Sequence, residues 1–528
     1  MPSVELPVLI VGGGAAGSML LLELCRRGVA VRCVDRLPGP APTSRAITVH
    51  ARTAEILERI DQRLIDRCRA RALPSKGYVL HFVDESGARR SVRPGLDFTT
   101  LPGRYPLLFI HGQHDTEQLL REFLREQYGK SVEWGAELTH VRHGEDCVFA
   151  TLRHADGRDE HVQSRFLVAC DGKNSRVRRA LQLVQDESDY KGSIMQNLDA
   201  FLHDFPDTDE YVHYCVGRNH FVMVVKMPGG YHRMLLSDRG EAAQGDVTPQ
   251  QAFQRVIDQH FDGVGIGDVV WHSKWESWVR LSHTYRDRNV FLAGDSAHVH
   301  STTGGQGMNC CLQDAWNLGW KLALVLQGRA AASLLDSYEA ERKPIAEQVI
   351  WAASSLHEIF MGHGRSIEER SARMSDPSFL DAVIGRCSGI AYTYRDYIAP
   401  PQGLAPMQAG PSIGDRAPDL VLPDGQSLYA ASRTPGFSLW VIPGHAADAA
   451  RIQQDAREIA GRYPGLVSAY LLPAAHAVAR EFGVTADSRY FLIRPDAYVG
   501  FRCWTAEADR LREYLHDLFD VFDPKELH

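Results

Sequence analysis

The chain has 528 residues and a formal charge of −8, from 58 Lys and Arg against 66 Asp and Glu. At about 150 residues per domain, this length predicts roughly three or four domain-sized units. The 44% hydrophobic and 23% charged content is typical of a globular protein and excludes a disordered or collagen-like chain. The net negative charge and the sequence pI of about 6.3 argue against a nucleic-acid partner.

The ten cysteines are scattered, and no pair has CxxC spacing. This pattern predicts neither a structural metal site nor a disulfide framework, and it favours a reducing, cytoplasmic location. The most hydrophobic stretch, residues 8–25, is interrupted by four glycines and by Glu23. We therefore expect no membrane span and no signal peptide.

The N-terminal residues predict a nucleotide-binding unit. Residues 7–11 form a short apolar run that favours a buried parallel strand, and the glycine-rich segment 12–17 follows at once. Residues 18–27 have the leucine content of a helix, and 29–34 predict a second strand that ends at Asp35. This order of strand, glycine loop, helix, strand and acid is typical of a dinucleotide fold.

Each position of the GxGxxG motif has a physical role. Gly12 permits the tight turn, Gly14 lets a pyrophosphate approach the backbone, and Gly17 lets helix and strand pack closely. Asp35 is placed to accept hydrogen bonds from ribose hydroxyls, which favours FAD or NAD over a 2′-phosphorylated nucleotide. The motif alone does not choose between those two cofactors.

Two later strands end in the same residue types. Residues 166–170 lead into Asp171-Gly172, and residues 289–293 lead into Gly294-Asp295. Ligands of open α/β sheets collect at such strand ends. The glycine-rich loop 304–307 then lets backbone amides approach a planar ring, and a helix predicted over 309–326 directs its positive end toward that ring.

With these motifs, in this order, the chain resembles the class A flavoprotein aromatic hydroxylases, the single-component FAD monooxygenases related to p-hydroxybenzoate hydroxylase. The resemblance covers about residues 5–345. Further matching segments are Ser44-Arg45-Ala46, Gln113 before 116–120, 314–322 and 334–344. One departure is that many relatives have proline near Ser301-Thr302, so this loop is expected to be less rigid.

The resemblance implies FAD and NADPH (or NADH) as cofactors. It places Asp35 at the adenosine ribose, Arg45 and Gln113 near the pyrophosphate, ribityl or ring region, and Asp295 at the pyrophosphate–ribityl segment. Asp171 is either a cofactor contact or the cap of a helix that begins near Ser175, and the two roles are compatible. The full predicted cofactor set is Gly12, Gly14, Ala15, Ala16, Gly17, Asp35, Arg36, Arg45, Gln113, Asp171, Gly294, Asp295, Gly305, Gly307, Met308 and Asn309.

The implied reaction is NAD(P)H- and O2-dependent hydroxylation of a phenol-like or aromatic polyketide substrate through a flavin hydroperoxide. Activating a phenol calls for a base, and His111, His114 and His300 are the nearest histidines, but none is assigned a catalytic role. Oxygen insertion into a ketone, quinone formation and a non-catalytic flavin sensor or scaffold remain alternatives. A flavin-dependent halogenase is disfavoured because its WxWxIP segment is absent.

We predict an α/β chain with four parts. The FAD-binding domain takes 1–73, 101–183 and 286–345, and a mostly antiparallel substrate domain takes 74–100 and 184–285. A helical linker over 346–410 precedes a thioredoxin-like domain over 411–528, in which a single cysteine, Cys503, excludes dithiol chemistry. Candidate substrate-wall residues, which core packing explains equally well, are Tyr211, Tyr214, Phe221, Met223 and Met234. The sequence leaves the oligomeric state open, with a homo-oligomer as one expectation.

Overall fold

The computed structural model describes residues 6–42, 46–206, 210–238, 247–362, 365–398, 407, 409–444, 449–473 and 476–519. No helix in these ranges is both long enough and apolar enough to cross a membrane. The strands are β1 (Leu6–Val11), β2 (Val31–Asp35), β3 (Thr48–Val49), β4 (Leu73–Ser75), β5 (Gly77–Val83), β6 (Arg89–Asp97), β7 (Leu108–Ile110), β8 (Glu133–Trp134), β9 (Ala136–His143), β10 (Val148–His154), β11 (Asp159–Ala169), β12 (Gln185–His203), β13 (Tyr211–Val216), β14 (His220–Lys226), β15 (His232–Asp238), β16 (Gly265–Ser282), β17 (Arg286–Asp287), β18 (Val290–Leu292), β19 (His298–Val299), β20 (Phe437–Ile442), β21 (Val467–Leu471), β22 (Arg489–Ile493) and β23 (Val499–Trp504).

The helices are α1 (Ala15–Cys25), α2 (Ala51–Ile60), α3 (Gln62–Arg71), α4 (Gln113–Tyr128), α5 (Arg176–Ala180), α6 (Pro249–His260), α7 (Gly307–Leu326), α8 (Asp336–Met361), α9 (Ile367–Arg373), α10 (Pro377–Ser388), α11 (Leu428–Ala431), α12 (Ala449–Gly461), α13 (His476–Glu481) and α14 (Ala508–Phe519). Short 3-10 turns cover 98–100, 294–296, 332–335 and 505–507.

The first sheet has the order β17-β18-β11-β1-β2-β8, with β10 and β9 added beside β11. β18, β11, β1 and β2 run parallel, and their registers align Val11 with Ala169 and Ala169 with Leu292. The carboxyl ends of these strands therefore lie at one edge of the sheet. The loop 12–17 follows β1, Asp171-Gly172 follows β11, and Gly294-Asp295 follows β18. The fold therefore brings these three segments, called the three glycine–aspartate segments below, to that edge.

Close packing behind the first glycine loop depends on two glycines. A Cβ at Gly17 would lie 1.8 Å from the carbonyl oxygen of Gly12, so α1 could not approach the loop with any larger residue. Gly12 itself has φ +108°, and a Cβ there would lie 2.2 Å from the carbonyl oxygen of Cys170. Both predicted roles, the tight turn and the close helix–strand approach, thus have a direct steric cause.

The second sheet has eight strands in the order β19-β16-β12-β15-β14-β13-β5-β6. Of its seven pairings, only β13 with β5 is parallel, so the prediction of a mostly antiparallel sheet is confirmed. One face packs against α6, where Phe253 and Ile257 join Leu198 and Met234 in an apolar cluster. The opposite face is left to form the wall of a cavity.

The C-terminal sheet has the order β21-β20-β22-β23, in which β20 and β21 are parallel and the other two pairings antiparallel. This unit packs directly on α7, since Trp320 and Leu324 share an apolar cluster with Phe437 and Leu439. The C-terminal unit therefore contacts the same helix, α7, that begins at Gly307 in the glycine-rich loop 304–307.

Two of the predicted domain boundaries lie inside regular elements. α8 continues without a break from Asp336 to Met361, so the boundary after residue 345 divides a single helix. The boundary after residue 73 likewise divides β4, which pairs with β7. The sequence predicts helix on both sides of this boundary, as the start of a helical linker, and the structure joins the two parts into one helix.

Candidate cofactor and substrate site

A single cavity of about 590 Å³ connects the edge of the first sheet with the open face of the second. Its nucleotide side includes Gly13, Gly14, Ala15, Ala16, Asp35, Gln113, Glu117, Asp295, Gly305, Gly307 and Met308. Its sheet side includes Tyr78, Asn197, Val212, Tyr214, Met223, Leu235, Trp271, Ser273, Trp275 and Trp278. The motif residues and the antiparallel sheet, far apart in sequence, therefore enclose the same space.

Asp35 is tied to the first glycine loop. Its Oδ2 accepts a hydrogen bond from the backbone N–H of Gly13 at 2.8 Å, and its Oδ1 accepts one from the N–H of Leu37 at 2.9 Å. These bonds hold the carboxylate at the end of β2, on the cavity wall. An acceptor at this position beside the loop suits a ribose hydroxyl, as the motif predicts.

The flavin loop, residues 301–307, packs against β3. Gly305 has φ +66°, and a Cβ there would lie 2.4 Å from Thr48 Oγ1. Asn309 Nδ2 donates to the carbonyl oxygens of Thr48 and Gly305, each at 2.9 Å, while its Oδ1 accepts from the N–H of His50 at 3.0 Å. Asn309 is fully buried and does not line the cavity, so it positions the loop.

The loop is held without the proline that many relatives have. Thr303 Oγ1 donates to the carbonyl oxygen of Ala353 at 2.7 Å and lies 2.9 Å from Ser301 Oγ, which in turn lies 3.2 Å from His357 Nδ1. Ala353 and His357 belong to α8. The expected loss of rigidity is therefore offset by side-chain hydrogen bonds to this helix.

A buried ion pair lies behind the third glycine–aspartate segment, Gly294-Asp295. Asp314 accepts from His298 Nε2 at 2.6 Å, from Arg342 Nε at 2.7 Å and from the N–H of Gly294 at 3.1 Å. Burial alone would raise the pKa of Asp314, but the charges of His298 and Arg342 lower it. Burial opposes the charged form of His298, yet Cys310 and Asp314 raise its pKa well above the ordinary value.

Asp295, in contrast, is exposed to the cavity, where its Oδ1 accepts from Cys311 Sγ at 3.4 Å. Gly294 does not line the cavity. It has φ +63°, and a Cβ there would lie 2.9 Å from Cys311 Sγ. Gly294 thus makes the turn that presents Asp295.

Some predicted cofactor residues lie outside the cavity wall. Gly12 and Gly17 act through packing, and Arg36 is exposed on the surface beyond Asp35. Asp171 Oδ2 accepts from the N–H groups of Arg176 at 2.7 Å and Val177 at 3.3 Å, which is the capping role. Its cofactor contact stays a prediction. Arg45 and Ser44 lie outside the described residues.

The expected substrate wall is partly different from the observed one. Tyr214 and Met223 line the cavity, but Phe221 lies behind them, stacked on Phe360 with ring centroids 5.2 Å apart. Met234 faces the α6 side instead, and Tyr211 is absent from the wall. Strand alternation places Met234 and Met223 on opposite faces of the sheet, which the pattern of apolar residues did not reveal because both faces are apolar.

Sequence reasoning missed Glu117 and the tryptophans of β16. Glu117 lies one helical turn after Gln113, whose Nε2 donates to Glu117 Oε1 at 2.8 Å. Burial raises the pKa of Glu117, and Oε1 is 3.6 Å from where a Cβ of Gly14 would lie. The i,i+4 spacing from Gln113 is the signal that could have identified it.

The three candidate histidines have different environments. His111 Nδ1 lies 2.8 Å from Thr116 Oγ1, and the residue is not in the cavity wall, whereas His114 and His300 are. His300 Nδ1 lies 2.9 Å from the carbonyl oxygen of Ser301, an acceptor only, so Nδ1 carries the proton and Nε2 the lone pair. Burial, followed by the charge of His298, lowers the pKa of His300 to about 4.

The cavity fits FAD. A Cβ at Gly307 would meet no atom within 4 Å, and one at Gly14 would meet only Glu117 Oε1, so at both points bare backbone faces open space. Thr302 Oγ1, on the same wall, is enclosed without a hydrogen-bond partner among the described residues. Unhindered backbone at two glycine loops, with carboxylates at 35 and 295, suits a ribose- and pyrophosphate-containing ligand with a planar ring.

The FAD binding domain family matches residues 5–353. Pentachlorophenol 4-monooxygenase of Sphingobium chlorophenolicum is 36% identical over 524 residues, covering 96% of each chain. The chain belongs to the FAD-dependent aromatic monooxygenases. The resemblance drawn from the sequence motifs is thereby confirmed, together with FAD as the cofactor and NAD(P)H as the family's reductant.

Two solved structures show the same architecture as this monooxygenase over nearly its whole length. The ternary complex of aklavinone-11 hydroxylase with FAD and aklavinone has a TM-score of 0.78 at 25% identity, covering 98% of this chain and 100% of that one. OxyS anhydrotetracycline hydroxylase from Streptomyces rimosus has a TM-score of 0.73 at 26% identity, covering 97% and 99%. The predicted α/β fold class is confirmed.

Proposed function

We propose that this monooxygenase uses NAD(P)H and O2 to hydroxylate a phenol that binds between the flavin loop and the eight-stranded sheet. The observation that carries the proposal is the single cavity shared by the three glycine–aspartate segments and the open sheet face. The phenol class is supported by pentachlorophenol 4-monooxygenase, which is similar along 96% of the chain. The aromatic and apolar sheet side suits a planar ring.

The nucleotide side of the cavity would hold FAD. We assign Asp35 to the ribose, the Gly12–Gly17 loop and α1 N-terminus to the pyrophosphate, Asp295 to the ribityl segment, and the 305–308 backbone to the flavin pyrimidine. When bound, FAD accepts hydride from NAD(P)H and transfers electrons to O2. The positive end of α7 would stabilise negative charge on the ring.

His300 would act as a hydrogen-bond acceptor on the flavin-loop side of the cavity. Its Nδ1–H donates to Ser301, and its low pKa keeps the ring neutral at pH 7. Nε2 is enclosed and has no partner in the described part of the chain. A neutral imidazole in this position can orient a hydroxyl donor, and it is too weak a base to hold a proton.

We propose that residues 411–528 form a thioredoxin-like unit. The order β21-β20-β22-β23, with α12 connecting the parallel pair, supports this assignment. Cys503 is the one cysteine in this segment, so the unit has no dithiol chemistry. The role of the unit would instead be to support α7. The remaining domain assignments, the cytoplasmic location and a homo-oligomer stay predictions.

The test is NAD(P)H oxidation and O2 consumption by the purified flavoprotein, with and without a panel of phenols that includes pentachlorophenol. We expect strong stimulation of both rates by at least one phenol, and a product identified by NMR as ring-hydroxylated. If no phenol in the panel stimulates NAD(P)H oxidation by the flavoprotein, the phenol assignment is contradicted. A product with oxygen inserted next to a carbonyl would favour the ketone-oxidising alternative.

A further inference from the structure

Two polar side chains lie side by side in the apolar part of the cavity wall. Asn197 on β12 is the register partner of Ser273 on β16, and both residues line the cavity. On the other side, Asn197 pairs with Leu235 of β15. Asn197 is only 2% exposed, so it belongs to the wall and not to the protein surface.

Among the residues that the structure describes, no protein group pairs with either polar group. Asn197 Nδ2 and Ser273 Oγ are both enclosed, and within the described residues neither makes a hydrogen bond. Leu235, the register partner of Asn197 on β15, also lines the cavity and has no side-chain acceptor to offer. Since an enclosed donor without an acceptor destabilises a folded protein, such a pair in a cavity indicates a bound acceptor from outside the chain.

The two groups are close enough to share one acceptor atom. Directly opposite residues on neighbouring antiparallel strands have their Cβ atoms about 4.5–5.5 Å apart. The amide N–H of Asn197 and the O–H of Ser273 are both neutral donors that can converge on a single oxygen with two lone pairs. The rest of this wall would contact the apolar ring that carries the oxygen.

We propose that Asn197 and Ser273 together bind the ring oxygen of the phenolic substrate, each donating one hydrogen bond to it. The inference rests on the proposed function and adds the two residues that select a hydroxylated ring. It implies that an O-methylated ring binds poorly, because the methyl group occupies the space that one donor needs. The two residues position the ring and take no part in electron transfer.

The binding test uses pentachlorophenol and its methyl ether with the FAD-loaded protein. Asn197→Leu and Ser273→Ala should each weaken pentachlorophenol binding by about ten-fold, measured from the change in flavin absorbance on titration. Binding of the methyl ether should change by less than about two-fold. The matched control is Gln196→Leu, on the opposite face of β12, which should leave both dissociation constants unchanged.

A second measurement separates binding from structural support. Replacing Asn197, whose Nδ2 has no partner among the described residues, by an apolar side chain of similar size should raise the melting temperature of ligand-free Asn197→Leu protein by roughly 1–2 °C while phenol affinity falls. A structural role would lower both quantities. A lower melting temperature, or pentachlorophenol affinity unchanged in both variants, would overturn the inference alone. Wild-type protein that binds no phenol and shows no phenol-stimulated NAD(P)H oxidation would overturn the proposed function as well.

Discussion

Arg494 and Glu341 form a two-point ion pair between the C-terminal unit and α8. The distances Nη1–Oε1 and Nη2–Oε2 are both 2.7 Å, and both side chains are buried. Lys321 of α7 donates to the same Glu341 Oε2 at 2.8 Å, and Arg494 also pairs with Asp496. The C-terminal sheet is therefore joined by buried charges to the helix that carries the flavin-loop glycines.

Arg494→Met should strongly destabilise the protein. The change leaves the carboxylates of Glu341 and Asp496 buried with fewer positive partners, which costs about 3–5 kcal/mol. Urea denaturation followed by tryptophan fluorescence measures the loss. The control Arg510→Met removes an exposed pair with Glu513 on α14 and should cost less than about 1 kcal/mol. Equal losses of unfolding free energy in the two variants would show that the buried ion pair contributes no more than the exposed one.

Asp295→Ala should purify with much less bound FAD. Its carboxylate faces the cavity, and a hydrogen bond to a charged group contributes about 1.5–3 kcal/mol, so FAD affinity should fall by at least about ten-fold. The ratio of flavin to protein absorbance, followed by FAD titration of the apoprotein, measures this. Asp156→Ala, at an exposed turn, is the control. Full flavin occupancy in Asp295→Ala would remove Asp295 from the cofactor assignment.

Gly305→Ala should prevent FAD binding. The new Cβ would lie 2.4 Å from Thr48 Oγ1 at a φ of +66°, so the loop must move away from β3. Gly157→Ala is a matched control, because φ there is +85° but no atom lies within 4 Å. We expect the control to lose about 1–2 kcal/mol of stability from backbone strain and to keep its FAD. Equal FAD content in the two variants would contradict the steric argument.

Asp419→Asn should change how stability depends on pH. Burial, reinforced by the charge of Glu55, raises the pKa of Asp419 from 3.8 to about 7. Between these two pH values the unfolded chain releases a proton that the folded chain retains. The stabilising contribution of Asp419 to the free energy of unfolding is therefore fully present below pH 3.8 and is lost as the pH rises through 7. This loss is on the order of 2–4 kcal/mol.

Because Asn does not ionise, the variant should gain stability relative to wild type as the pH rises from 4 to 8. Urea midpoints of both proteins across this range measure the gain. Asp424→Asn, at an exposed position of the same unit, should follow the wild-type profile. A constant difference between wild type and Asp419→Asn across the range would refute the raised pKa.

Local sequence predicted the elements whose causes are local. The strand–loop–helix order around Gly12, Gly14 and Gly17 was recovered, with α1 beginning at Ala15 and not at Ser18. The start of α6 has an equally local cause, since Thr248 Oγ1 accepts from the N–H of Gln251 at 3.3 Å. Such features depend on backbone geometry and capping within a few residues, so a single sequence carries them.

The substrate side could not be predicted in the same way. The sequence of β14 is a continuous apolar run, because one face of the strand packs on α6 and the other lines the cavity. The sequence therefore could not show that Met223 faces the cavity while its chain neighbours face α6. Asn197 and Ser273 are 76 positions apart and meet only through the register of β12 with β16. That register is a property of the assembled sheet.

The amino-acid sequence by itself determined that the chain holds a dinucleotide, because glycine positions and strand-terminal aspartates are local requirements for binding one, and the resemblance carried by these motifs then named FAD. Only the tertiary structure decided which residues face the bound ring, which carboxylates cap helices and which remain open to ligand, and how the C-terminal unit supports α7. The physical reason is that the direction, burial and ion pairing of a side chain depend on strand register and on contacts between segments hundreds of residues apart. No short sequence pattern encodes these contacts.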